Sequence, residues 1–183
     1  MSDHESLRRL LLERSVQRGN FVLSSGRRSS YYIDCRRTTM SAEGLVVIGR
    51  LGLAAISRAG WSPTAVGGLT LGADPVAYAI ASASFGSGHP MDAFSVRKQE
   101  KQHGTGRLIE GNFEAGFTVV VVEDVITSGE SARRAADAVQ QGGGRVLGVL
   151  AIVDRQEGGR QALEAAGHSV VSLISATELG LEV

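Results

Sequence analysis

Apolar residues recur at helical spacing along residues 5–17, where Leu7, Leu10 and Leu11 share one face, and the pattern predicts an amphipathic opening helix. Two short β-prone runs, residues 21–23 and 31–33, flank SSGRRSS and read as a hairpin. Residues 41–59 return to a helical period, with Leu45, Ile48, Leu51 and Ile56 expected to supply the buried stripe. From there strands and helices alternate. Strands are expected at residues 64–66, 92–96, 117–122, 146–153 and 169–174, and helices at 75–82, 131–140 and 159–166. The run 117–122 is continuous in apolar, mostly β-branched residues, as suits a strand buried on both faces. Such alternation implies an α/β fold with a central, mostly parallel sheet flanked by helices. The opening helix and hairpin, within residues 1–40, precede the alternation and are expected to cap a single domain spanning residues 1–183.

Composition adds constraints. A chain of 183 residues suits one domain with a full core. The 19 basic and 19 acidic side chains cancel, so no global field points to nucleic acid and any local basic cluster becomes informative. The single cysteine, Cys35, excludes an intrachain disulfide framework and fits a reducing compartment. Neither a signal peptide nor an apolar run near the roughly 20 residues of a membrane span is visible. The expectation is a cytoplasmic protein with no membrane or nucleic-acid partner.

Candidate chemistry concentrates in residues 119–131, VVVVEDVITSGES. In parallel α/β sheets, ligands bind beyond the carboxyl ends of strands. Here a buried strand runs into Glu123 and Asp124, adjacent acids suited to two neighbouring hydroxyls such as those at positions 2 and 3 of ribose. Val125 and Ile126 follow, then Thr127, Ser128, Gly129, Glu130 and Ser131 open a helix. Hydroxyls and exposed N–H groups at a helix start form an anion cradle, and Gly129 permits close approach. Together they fit a ribose 5-phosphate. Without a ligand the segment is merely a capped helix, and an acidic pair at a buried strand end is then an uncompensated cost. There is no Gly-x-x-x-x-Gly-Lys-Ser/Thr, and residues 86–91 lack the last glycine of a dinucleotide fingerprint.

Two further features change the picture. Arg97, Lys98, Lys101, His103 and Arg107 crowd into one short stretch with Gly104 and Gly106. Charge runs are commonly solvated surface, but this one leaves a core strand shortly before the ribose segment. Mobile cations closing over such a site would stabilise negative charge on a departing group and exclude water. Arg155 follows the strand 146–153 and so also sits at a strand's carboxyl end. It reads either as an exposed arginine paired with Asp154 or as a fork for a planar carboxylate.

The segment VVVVEDVITSGES resembles the phosphoribosyl pyrophosphate (PRPP) motif of type I phosphoribosyltransferases. RKQEKQHG is similar to the mobile catalytic loop of orotate phosphoribosyltransferases, in their single-activity bacterial and archaeal form. The resemblance covers essentially the whole chain, including FVLSSGRRSSYY as a hood over the base. It implies the type I phosphoribosyltransferase fold, transfer of phosphoribose from PRPP to orotate in pyrimidine synthesis, and Mg²⁺ carried by PRPP rather than by a protein metal site. It also implies a homodimer whose loop 97–107 enters the neighbouring subunit's site, with Arg97, Lys101 and His103 acting in trans and Lys98 in cis. All four would be catalytic and contact PRPP with residues 123–131, and Lys101 would matter most. Arg155 and Thr127 would hold orotate. A transferase for another base and a non-catalytic PRPP sensor are the alternatives. Two departures stand out: Ser24 where many relatives carry lysine, with Arg27 or Arg28 as a substitute, and a pyrophosphate loop, residues 68–74, without the usual aromatic residue and lysine. Binding at that loop is expected from backbone N–H groups and Thr70, with a strained or cis peptide near Thr70-Leu71.

Overall fold

A computed structural model describes residues 2–22, 28–99 and 108–181. The chain opens with helix α1 (Asp3–Leu10), continued by a π-helical turn (Leu11–Ser15). Ser2 and Glu5 start α1 with a reciprocal capping box. Strands β1 (Val16–Val22) and β2 (Arg28–Ile33) pair antiparallel as the expected hairpin, longer than the apolar runs alone suggest. Helices α2 (Arg36–Thr39) and α3 (Ala42–Arg58) follow, the latter capped by Ser41. Then come β3 (Ala65–Leu69), α4 (Ala73–Ser84), β4 (Asp92–Val96), β5 (Ile109–Gly111) and β6 (Thr118–Ile126). The described chain closes with α5 (Glu130–Gln141), β7 (Arg145–Asp154), α6 (Gly159–Ala165) and β8 (Val170–Ser175).

The main sheet has the order β5-β4-β3-β6-β7-β8, parallel except for the antiparallel edge strand β5. The chain steps outward from β3 to β4 and then returns to β3's other side with β6. That reversal opens a crevice at the carboxyl ends of β3 and β6, where open α/β sheets bind ligands. Along β6 the side chains alternate: Val120 and Val122 join the core formed with α3 and α4, while Val119 and Val121 join the core under α5 and α6. All four are fully buried, as a central strand covered by helices on both faces requires.

Two sequence expectations need correction. Leu45 and Leu51 are only partly buried, and the inward face of α3 carries Gly44, Val47, Gly49, Gly52 and Ala55 beside Ile48 and Ile56. Small residues let α3 lie close against the rest of the fold, a need that hydrophobicity does not register. The antiparallel β5 is also absent from the pattern reading, because three residues reading IEG carry no alternation.

Candidate functional site

A cleft of about 910 Å³ opens over the carboxyl ends of β3 and β6. The hairpin contributes Phe21, Val22 and Tyr32, the loop after β3 contributes residues 69–72, and Lys98 enters beyond β4. Glu123, Asp124, Val125, Thr127, Ser128 and Ser131 form its floor, and Arg155 with Glu157 closes one end. Ile126, Gly129 and Glu130 do not line it: Ile126 is turned into the core under α5, and Glu130 is exposed. The expected acids are part of β6 itself, which runs on to Ile126.

The two acids differ in environment. Glu123 is 6% exposed, its Oε2 has no hydrogen-bond partner, and its Oε1 accepts from the Asp124 N–H at 3.3 Å. Burial, reinforced by the neighbouring Asp124 charge, pushes the Glu123 carboxyl well above the ordinary carboxylate range. Asp124 is half-buried and accepts from the Val125 N–H at 2.9 Å. Gly72 packs directly on it, since a Cβ there would stand 2.5 Å from Asp124 Oδ1. On the cleft's far wall, the Arg36 side chain donates to Asp34 at 2.8 Å and holds that carboxyl below its usual value.

At the start of α5, Gly129 adopts φ +80°, a left-handed conformation that turns β6 sharply into the helix. A Cβ there would also lie 2.8 Å from the Gly159 carbonyl. The turn starts α5 at the cleft end that Ser128 and Ser131 line, where the first N–H groups of a helix have no intrahelical acceptors.

The loop after β3 has the cis peptide expected at Thr70-Leu71. Thr70 itself is more committed than expected: its N–H donates to Val96 and its hydroxyl to Asp74 at 2.6 Å. Asp74 also accepts from Ser95 at 2.7 Å. Donors for a ligand in this loop are therefore those of Leu71 and Gly72, which border the cleft.

Of the basic stretch, Lys98 borders the cleft, and its carbonyl accepts from Arg134 of α5 at 2.8 Å. Arg97 is turned to the edge strand, pairing with Glu110 at 2.8 Å, and does not line its own chain's cleft. Lys101, His103 and Arg107, with Gly104 and Gly106, lie outside the described residues, as do Ser24 and Arg27.

Arg155 is buried, 4% exposed, rather than an exposed loop arginine, and Asp154 is not its partner. Asp154 is taken by Arg160 at 2.9 Å, while Arg155 pairs with Glu157 and lies over the Tyr31 ring, 4.6 Å from its centroid. The sequence reading missed Glu157, Tyr31 and the contact of Gly72 with Asp124. A glutamate two residues after a cleft arginine is a weak local signal; the other two need the fold. Among the described residues no group of three or more His, Cys, Asp or Glu side chains is gathered as for a metal cage, and no helix is long and apolar enough to cross a membrane.

A parallel sheet with an acidic pair and a hydroxyl-glycine turn at its switch point, beneath an N-terminal hairpin, defines a type I phosphoribosyltransferase. No family model matches the chain. It is 49% identical over 177 residues to the orotate phosphoribosyltransferase of Mycobacterium avium, covering 97% of this chain and 96% of that protein. The Aquifex aeolicus orotate phosphoribosyltransferase is 44% identical over 182 residues, with 98% of each chain covered. A crystal structure of the Mycobacterium tuberculosis enzyme in complex with PRPP superposes with a TM-score of 0.83 at 44% identity, covering 98% of this chain and all of that one. The chain belongs to the orotate phosphoribosyltransferase family.

Proposed function

We propose that this chain transfers the 5-phosphoribosyl group of PRPP to orotate, releasing pyrophosphate and forming orotidine 5'-phosphate, on the route to UMP. The observation that carries the reading is one cleft holding both the ribose-phosphate segment and the buried Arg155. In the reaction the bond from ribose C1 to the pyrophosphate oxygen breaks and the C1 bond to orotate's ring nitrogen forms. Orotate is already anionic, so positioning and neutralisation of leaving-group charge supply the catalysis.

Glu123 and Asp124 accept from the ribose hydroxyls, and Thr127, Ser128 and Ser131, which line the cleft, cradle the 5-phosphate. Orotate's carboxylate takes the Arg155 fork, with Thr127 beside the base. Lys98 acts in its own cleft, which it borders, whereas Arg97, Lys101 and His103 act in the partner's; the turn of Arg97 toward Glu110 supports that division. A homodimer is supported by Leu71, Tyr78 and Phe85, spaced by seven residues and 55%, 54% and 84% exposed in the single subunit. The whole chain acts as one catalytic domain, with residues 1–40 contributing the hood. The unpartnered Glu123 Oε2 and the Asp124 carboxylate are hard oxygen donors that fit the hydration shell of Mg²⁺ entering with PRPP. When bound, that ion would screen the pyrophosphate charge. The single, buried Cys35 supports a cytoplasmic location.

Two experiments test this reading. Orotate should be turned over faster than adenine or uracil; the reverse order would overturn the base assignment, and tight PRPP binding without turnover would point to a sensor. Lys101→Ala and Asp124→Ala subunits, each nearly inactive alone, should regain activity when mixed. Mixed dimers without activity would refute action in trans.

A further inference from the structure

Arg155 is held on two sides before any acceptor arrives. Its Nε donates to Glu157 Oε1 at 2.7 Å, and its Nη2 stands 2.6 Å from the same oxygen. Both contacts lie on the side edge of the guanidinium. Nη2 has no aligned acceptor despite the short approach, so its hydrogen-bonding capacity remains unused. One face of the group is covered by the Tyr31 ring, itself 3% exposed. Nη2 is itself enclosed, so the nitrogen left for a ligand in the cleft is Nη1.

The approach of Glu157 depends on the intervening residue. Gln156 has φ +58°, which folds the chain back so that a side chain two positions on reaches Arg155. That turn is tied down at both ends: the Gln156 N–H donates to Asp154 Oδ1 at 2.8 Å, and its side-chain oxygen accepts from Thr177 N–H at 2.9 Å and Oγ1 at 2.6 Å. The ion pair is nearly dry, with side-chain exposures of 5% for Arg155 and 12% for Glu157. A buried guanidinium without a partner would be strongly unfavourable. Glu157 therefore balances the buried charge and holds the guanidinium in one orientation.

We infer that Glu157 and Tyr31 are positioning residues that preset Arg155 to receive an acceptor carboxylate end-on, and so set the preference for a carboxylated base. The inference rests on the proposed orotate activity. Glu157 touches no reacting atom in this scheme. Its effect passes through the arginine, and Tyr31 contributes its ring face rather than its hydroxyl, which has no hydrogen-bond partner.

The test is steady-state kinetics of the full-length enzyme with Glu157→Ala, Glu157→Gln, Tyr31→Phe and Tyr31→Leu, with thermal unfolding as a folding check. Glu157→Ala should raise the orotate KM by about tenfold or more, the loss expected for a charged hydrogen-bonded contact, with the PRPP KM nearly unchanged. Glu157→Gln, which keeps an acceptor oxygen, should recover most of that loss. Tyr31→Phe should match the wild type and Tyr31→Leu should not. In an Arg155→Ala background, Glu157→Ala should have no additional effect on orotate KM. An unchanged orotate KM in Glu157→Gln and Glu157→Ala overturns the inference. So does a lower one, which would make Glu157 a competitor for the site, or a parallel rise in both substrates' KM. A wild-type enzyme that fails to use orotate would instead sink the activity on which the inference rests.

Discussion

Replacing Glu123 by methionine should stabilise the protein while crippling it. Glu123 is almost fully enclosed, its Oε2 has no partner, and its Oε1 takes a long 3.3 Å contact from a backbone N–H, that of Asp124. A buried polar group without a partner costs about 1–3 kcal/mol. The raised carboxyl pKa gives this cost a pH signature. Above the ordinary glutamate value of about 4.3 the unfolded chain has released its proton while the native chain retains it, so stability falls as pH rises toward the native pKa. Methionine fills similar volume and carries no charge to desolvate. Glu123→Met should therefore gain about 1–3 kcal/mol at neutral pH, or roughly 2–12 °C in Tm for a chain of this size. Thermal unfolding of both proteins from pH 4 to 8 would show the gap smallest near pH 4 and widening as pH rises. The same variant should lose about 10–100-fold in PRPP affinity, through the missing contact to the ribose hydroxyls. A Glu123→Met protein less stable than wild type at pH 8, or a gap independent of pH, would refute the reasoning.

Other substitutions separate site geometry from bulk stability. Gly129→Ala places a side chain at φ +80° and against the Gly159 carbonyl, and should cost about 1–2 kcal/mol in urea unfolding while weakening PRPP binding in titration. Gly72→Ala should push Asp124 out of place and lower kcat/KM by about 10–100-fold, read from initial rates with PRPP varied; unchanged rates would mean that the contact is not functional. Ile152→Ala, deep in the α3 and α4 core, should lose about 2–5 kcal/mol of stability and leave both substrate KM values as they are.

Local sequence determined the features whose physics is local. A β-branched run, two acids, hydroxyls and a glycine are contiguous, so β6, its turn and the start of α5 are legible without any knowledge of the fold. The strand 92–96 is legible for the same reason. What needed tertiary structure was every property set by distant partners. Strand order puts β3 beside β6 and so brings Gly72 against Asp124. The inner face of α3 is chosen by close approach, which favours glycine over leucine. Arg155 could be singled out as a cleft cation, but its burial and aim could not. These depend on Tyr31 from the hairpin beneath it and on Thr177, which holds the Gln156 turn that swings Glu157 into place. Residue type and spacing determined which groups could do the chemistry; packing between remote segments decided which of them are charged, buried and pointed at the same space.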